Sequence, residues 1–127
     1  MTRTVITTEN APALAAPLSQ GIQKGPVLQV SGQLPLDPDT GHVVGTTVAE
    51  QTEQTLRNVI AVLKAGGAGL EDVVMLRVYL TDPAHLAEMN GAYAAAVGEP
   101  FLARTTVYMQ LPPGLLVEVD ALAVLDD

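Results

Sequence analysis

Cysteine is absent from the chain. Disulfides, thiol nucleophiles and Cys-ligated zinc are therefore excluded, and the composition fits a reducing compartment. Tryptophan is absent as well, with one Phe and three Tyr. No aromatic set is interleaved with basic residues for stacking on bases. Positive charge is scarce: six Lys and Arg stand against fourteen Asp and Glu, a net charge of −8 at pH 7. An acidic chain with scattered cations repels phosphate backbones, so no nucleic-acid partner is expected. His42 and His85 lie far apart, with no metal-ligand spacing around them, and no metal is expected. No apolar run approaches a membrane span. The opening Met1-Thr2-Arg3-Thr4-Val5-Ile6 has no signal-peptide apolar core. The expectation is a cytoplasmic protein that contacts no membrane.

The 127 residues, 48% of them hydrophobic, suffice for one domain spanning 1–127 with a real core. Thr4-Val5-Ile6 reads as a short edge strand. Two prolines make residues 9–18 a loop. Lys24-Gly25-Pro26 reads as the turn of a hairpin between residues 19–23 and 27–31. Residues 31–41 form a turn-rich loop anchored by Leu34 and Leu36. Gly32 there is either a plain turn glycine or a point of close backbone approach to a ligand or strand. Thr47-Val48-Ala49-Glu50 is a capping box that opens a helix. Its buried stripe is Val48, Thr52, Thr55, Leu56, Val59, Ile60 and Leu63, and Gly66-Gly67 ends it. Residues 73–80 are nearly continuous in apolar character, as a central strand covered on both faces would be. Strand, helix and strand imply a parallel crossover.

Asp82-Pro83 opens a second helix, with a cap residue followed by proline. Leu86, Met89, Asn90, Tyr93 and Val97 share its inner face, and Gly98 ends it. An amide on that stripe needs partners, either nearby backbone or a ligand. Phe101 to Val107 then reads as a strand, and Arg104 sits within it. An unpaired buried charge costs several kcal/mol, so this guanidinium must hold an anion or keep its water. The anion is either an Asp or Glu of the same protein or a small carboxylate ligand, both of which fit the planar fork. On the last strand, Val117, Val119, Ala121 and Ala123 make one apolar face. Glu118 and Asp120 project together from the other, as a structural partner for the arginine or as a group that positions water.

The element order β, ββ, α, β, α, β, β predicts an α+β fold: one mixed sheet with two helices on one face. The other sheet face has nothing in the chain to cover it. The strands are too apolar for both faces to be wet, which predicts oligomerisation.

Several segments occur together and in order: Glu9-Asn10-Ala11-Pro12, Ser31-Gly32-Gln33-Leu34-Pro35 followed by Asp39-Thr40-Gly41, Asn90-xx-Tyr93, Ala103-Arg104, and Glu118-Val119-Asp120-Ala121-Leu122-Ala123. In this combination the chain, from Thr7 to Val124, resembles the RidA/YjgF family of imine and enamine deaminases, formerly labelled L-PSP endoribonucleases. The resemblance implies a chorismate-mutase-like fold with a six-stranded sheet. It also implies a homotrimer whose sheets line a barrel, with a cleft at each subunit interface. A strand would lie between those of Arg104 and Asp120, leaving the two residues near each other. The implied activity is hydrolysis of 2-imino or enamine acids to 2-oxo acids and ammonia, without a cofactor.

By the same resemblance Arg104 holds the substrate carboxylate, and the backbone of Gly32 and Thr106 adds hydrogen bonds. Ser31 and Asn90 match the family pattern, and Asp120 stands where a water-activating glutamate is expected. Leu18 replaces a common tyrosine and Thr106 a common cysteine. The alternative is a non-catalytic trimer that binds a small carboxylate metabolite. The acidic charge argues against RNA cleavage.

Overall fold

The computed structural model describes residues 2–126. Its elements are β1 (Thr4–Ile6), β2 (Gly21–Lys24), β3 (Val27–Gln33), α1 (Val48–Ala65), β4 (Val73–Leu80), α2 (Leu86–Val97), β5 (Ala103–Tyr108) and β6 (Val117–Val124). The six strands form one sheet in the order β1-β2-β3-β6-β4-β5. β4 and β5 are parallel, and every other neighbouring pair is antiparallel. The expected mixed sheet with two helices is therefore the observed architecture.

Local chemistry explains the elements. Gly25, at φ 58°, and Pro26 make the two-residue turn between β2 and β3. Thr47 caps α1: its side chain accepts from Glu50 N, and the Glu50 carboxylate accepts from Thr47 N at 3.1 Å. Asp82 accepts from Ala84 N at 2.9 Å. One 3₁₀ turn, Pro83–His85, comes directly after this cap and runs on into α2. The cap expected to start the helix directly thus starts its entry turn.

The core lies between the sheet and the helices. Val117, Val119, Ala121 and Ala123 are fully buried, as are Leu76, Val78 and Leu80 across the strand and Leu28 and Val30 of β3. α1 packs on β3, β6 and α2. Its inner face differs from the expected stripe: Ile60 is only half-buried, Val62 is fully buried, and Gln51 and Asn58 are buried polar members. Asn58 Nδ2 donates to Leu34 O and Leu36 O, both at 2.9 Å. Gln51 Nε2 donates to Gly114 O at 2.9 Å, and Gln51 Oε1 accepts from Leu116 N at 2.8 Å. These amides tie α1 to the loops entering β6 and leaving β3, and their own buried polar atoms find backbone partners there.

Two expectations change. β4 is covered on one face only, and the open sheet face is not apolar throughout; the expected parallel crossover from β3 to β4 holds, with β6 between them. The apolar face of β6 is the one under the helices. The open face carries Arg77, Glu118 and Asp120 amid Val5, Val27, Val107 and Val124, which are 38–60% exposed. The open face is thus a polar cluster framed by apolar residues, not a uniformly apolar surface.

Replacing Asn58 with Ala removes its hydrogen bonds to Leu34 O and Leu36 O and the acceptor that Gln54 Nε2 uses at 3.0 Å. We expect the unfolding free energy in urea to fall by about 2 kcal/mol, with an unchanged m-value.

Candidate active site

β5 is an edge strand, and its register with β4 settles where Arg104 points. Arg104 pairs with Leu76 and Thr106 with Val78, while Thr105 pairs with Arg77. Register partners in a sheet share a face. Arg104 and Thr106 therefore lie on the helix side, at the sheet's margin. The Arg104 guanidinium carbon stands 4.9 Å from the centroid of the Tyr93 ring on α2. A cavity of about 330 Å³ opens there, lined by Asn90, Tyr93, Ala94, Phe101, Leu102 and Arg104. Among the described residues no carboxylate lies within 4.0 Å of this guanidinium. Asn90 Oδ1 and the Tyr93 hydroxyl are buried without a hydrogen-bond partner among those residues. Burial raises the Tyr93 pKa, and the nearby Arg104 charge opposes the rise. Thr106 follows Arg104 on the same face but does not line the cavity.

The remaining expected residues gather elsewhere. The Ser31 hydroxyl donates to Ser19 O at 2.5 Å, and Ser31 N donates to Gln20 O at 2.9 Å. These bonds fasten the segment after Leu18 to β3. Leu18 itself is 49% exposed. It lines a second cavity, of about 550 Å³, beneath the N-terminal loop, which none of the other expected site residues reaches. Gly32 lies against the Glu118 carboxylate, and a Cβ at position 32 would collide with Glu118 Oε2. The glycine at this position leaves room for an anion beside the strand.

Glu118 and Asp120 share the open face of β6, but their surroundings differ. Asp120 is 8% exposed, and both its oxygens are engaged. Oδ1 accepts from Arg77 Nε at 2.8 Å, and Oδ2 accepts from the Tyr79 hydroxyl at 2.7 Å. Arg77 is its cross-strand partner on β4. The bond to Asp120 raises the Arg77 pKa. The phenol's own hydrogen bond to Asp120, and then burial, raise the Tyr79 pKa, against the opposing charge of Arg77. Glu118 has no such partners among the described residues. Burial, and then the negative charge of Asp120, raise its pKa. The geometry makes Asp120 a structural anchor and leaves Glu118 as the free carboxylate beside Gly32.

β4 does lie between Arg104 and Asp120, as expected, but the two residues occupy opposite faces of the sheet. One group thus comprises Asn90, Tyr93 and Arg104. The other comprises Ser31, Gly32 and Glu118, with Leu18 apart on the second cavity. Sequence alternation puts Glu118 and Asp120 on one side without separating their roles. The signal that separates them, a cation at 77 opposite position 120 and a phenol at 79 that stands opposite Glu118 but bonds diagonally to Asp120, requires the register of β4 and β6. Among the described residues no group of His, Asp and Glu could hold a metal ion, and no helix is long and apolar enough to cross a membrane.

The Tyr79–Asp120 bond has a pH signature. The folded phenol holds its proton above its unfolded value, so its contribution is complete below about pH 10 and is lost as pH rises through the folded pKa. Tyr79→Phe should cost about 1 kcal/mol at neutral pH. The difference from wild type should shrink in alkaline urea titrations.

The family model described as Endoribonuclease L-PSP matches residues 8–125. A RutC family protein of Pyrococcus horikoshii is 44% identical over 120 residues, covering 94% of this chain and 95% of that protein. The 2-iminobutanoate/2-iminopropanoate deaminase of Salmonella typhimurium is 39% identical over 123 residues, covering 94% and 95%. The crystal structure of RidA from an Antarctic Psychrobacter superposes with a TM-score of 0.91 at 35% identity, covering 96% of this chain and 99% of that one. Fold, motif order and similarity along nearly the whole length agree: the chain belongs to the RidA/YjgF family, the Endoribonuclease L-PSP family of its matching model.

Proposed function

We propose that this chain hydrolyses reactive 2-imino and enamine acids, of the 2-aminoacrylate/2-iminopropanoate type, to 2-oxo acids and ammonia. Arg104 carries the reading. It is a guanidinium at a cavity, without a carboxylate partner among the described residues, beside an amide oxygen that also lacks one. Its fork fits a substrate carboxylate with two parallel hydrogen bonds. A relative at 39% identity is named for this reaction, which supports the reading further.

In this reading the working unit is a homotrimer. Arg104 and Glu118 lie on opposite faces of the sheet with β4 between their strands, so one small molecule cannot touch both within one chain. The half-site with Asn90, Arg104 and Thr106 comes from one copy. The half-site with Leu18, Ser31, Gly32 and Glu118 comes from the next. Exposed Val5, Val27, Val107 and Val124 around the polar cluster give the open faces something to bury against one another.

The carboxylate on Arg104 fixes the imine carbon. Glu118 orients a water and takes its proton as the water oxygen adds to that carbon, and the C=N bond becomes a C–N bond. The proton then passes to nitrogen. The hydroxyl proton follows to nitrogen as the C–N bond breaks and the carbonyl forms, so ammonia leaves, one water is consumed and no cofactor is used. A carboxylate with raised proton affinity is suited to accepting and returning that proton. Imines are reactive, so positioning supplies much of what is needed.

A second reading, a trimer that binds a carboxylate metabolite without turning it over, draws on Leu18. That residue places an apolar side chain where the family commonly has a phenol. It predicts carboxylate-dependent thermal stabilisation without catalysis. RNA cleavage is disfavoured by the net charge of −8.

The test is coupled hydrolysis. An amino-acid oxidase generates 2-iminopropanoate in situ, and semicarbazide traps what remains. Wild type should deplete the imine, and Arg104→Ala and Glu118→Gln should each lose about 100-fold. Gly32→Ala displaces the Glu118 carboxylate and should resemble Glu118→Gln. Asp120→Asn should retain most of the activity while losing stability. Collapse of activity in a folded Asp120→Asn, with Glu118→Gln active, would return the carboxylate role to Asp120. No turnover by wild type would favour the binding module.

A further inference from the structure

We infer that Tyr93 is the positioning residue for Arg104: its ring is the platform that aims the guanidinium edge at a ligand carboxylate. The inference rests on the proposed function and deepens it by naming how the arginine is held. Arg104 is on an edge strand and has long side-chain freedom, yet a carboxylate-binding fork must be oriented before the ligand arrives. A protein can hold a guanidinium in two ways. An ion pair uses its N–H donors, as Arg77 does when its Nε donates to Asp120 at 2.8 Å. Stacking on an aromatic face uses the guanidinium plane and leaves the in-plane donors free. Arg104 is held in the second way, 4.9 Å from the Tyr93 centroid.

Tyr93 is built to be a fixed surface. It is 4% exposed, belongs to the buried core cluster and stands one turn after Asn90 on α2. Its hydroxyl has no partner among the described residues, so the ring, not the phenol oxygen, is what Arg104 uses. The cavity at this point is bounded by Phe101 and Leu102, and this apolar surface strengthens a charge-assisted bond at the fork.

The test uses the full-length protein, with pyruvate as the carboxylate probe. In the wild type, the Arg104 side-chain resonances should be shifted upfield by the ring current and should keep that shift in Tyr93→Phe. Pyruvate titration should give Tyr93→Phe a Kd within about twofold of wild type. Tyr93→Leu should be weaker by about three- to thirty-fold, the range a cation–π contact spans. In hydrolysis the Leu variant should raise KM more than it lowers kcat, and Tyr93→Phe should rescue it. Unshifted Arg104 resonances in the wild type would overturn the inference whether or not Tyr93→Leu folds. A folded Leu variant with wild-type pyruvate affinity would also overturn it, as would a Phe variant as weak as Leu, which would assign the effect to the hydroxyl. A wild type that shows the ring-current shift but neither binds pyruvate nor hydrolyses imine overturns the proposed function itself, leaving the platform without a ligand to serve.

Discussion

Alternation of side chains along β6 is the constraint on which both core and chemistry depend. Val117, Val119, Ala121 and Ala123 go under the helices, and each is fully buried. Glu118 and Asp120 must then face the other way. A slip of one residue against β4 would drive both carboxylates into the apolar layer and expose the four core residues, so the register is held by the cost of burying charge. The pairs Val119 with Val78 and Ala121 with Leu76 are where that cost acts. The strand therefore brings Glu118 to Gly32 for the same reason that it closes the core.

Two arginines on neighbouring strands show how one residue type serves different ends. Arg77 faces a carboxylate across the strand pair and is bonded to it, an arrangement that removes Asp120 from any other task. Arg104, on the opposite face, meets an aromatic ring and an unpartnered amide oxygen. Stacking stabilises the guanidinium without using its donors, so its capacity for an anion is kept. In a chain with six basic residues, an arginine at a cavity with no carboxylate partner among the described residues is more informative than one that is paired.

Much of the fold is legible in the sequence because its signals are local. The Thr47–Glu50 box, the Gly25-Pro26 turn and the terminating Gly98 each act through their own neighbours, and each stands where it is expected. Arg104 and Asn90 are legible as polar groups on otherwise apolar elements. The failures are non-local. Gln51 and Asn58 break the apolar stripe of α1, and their burial makes sense only once the loops they bond are seen beside them. Glu118 and Asp120 have the same parity, so periodicity cannot rank them. The ranking comes from Arg77 and Tyr79, more than forty positions away. The open face differs from its expected character because the apolar half of β6 lies beneath α1 and not on that face.

The division of polar groups between two faces bears on why a small sheet domain would assemble at all. A sheet with helices on one side leaves its other side to water or to a partner. Here that side is neither uniformly polar nor uniformly apolar. Its centre holds an anchored ion pair and a partly buried carboxylate, and its margins hold exposed valines. Apolar margins favour association, while the paired charges at the centre tolerate burial because their donors and acceptors are already matched. Glu118 is the exception: a carboxylate with raised proton affinity and no bonded cation among the described residues, which association would desolvate further. That cost is offset if the neighbouring copy brings its unpaired guanidinium toward the same space. Complementary charges on opposite faces of one chain, each without an ionic partner among the described residues, suit a head-to-tail ring, and in the proposed function such a ring would set Arg104 of one copy and Glu118 of the next around each shared cleft.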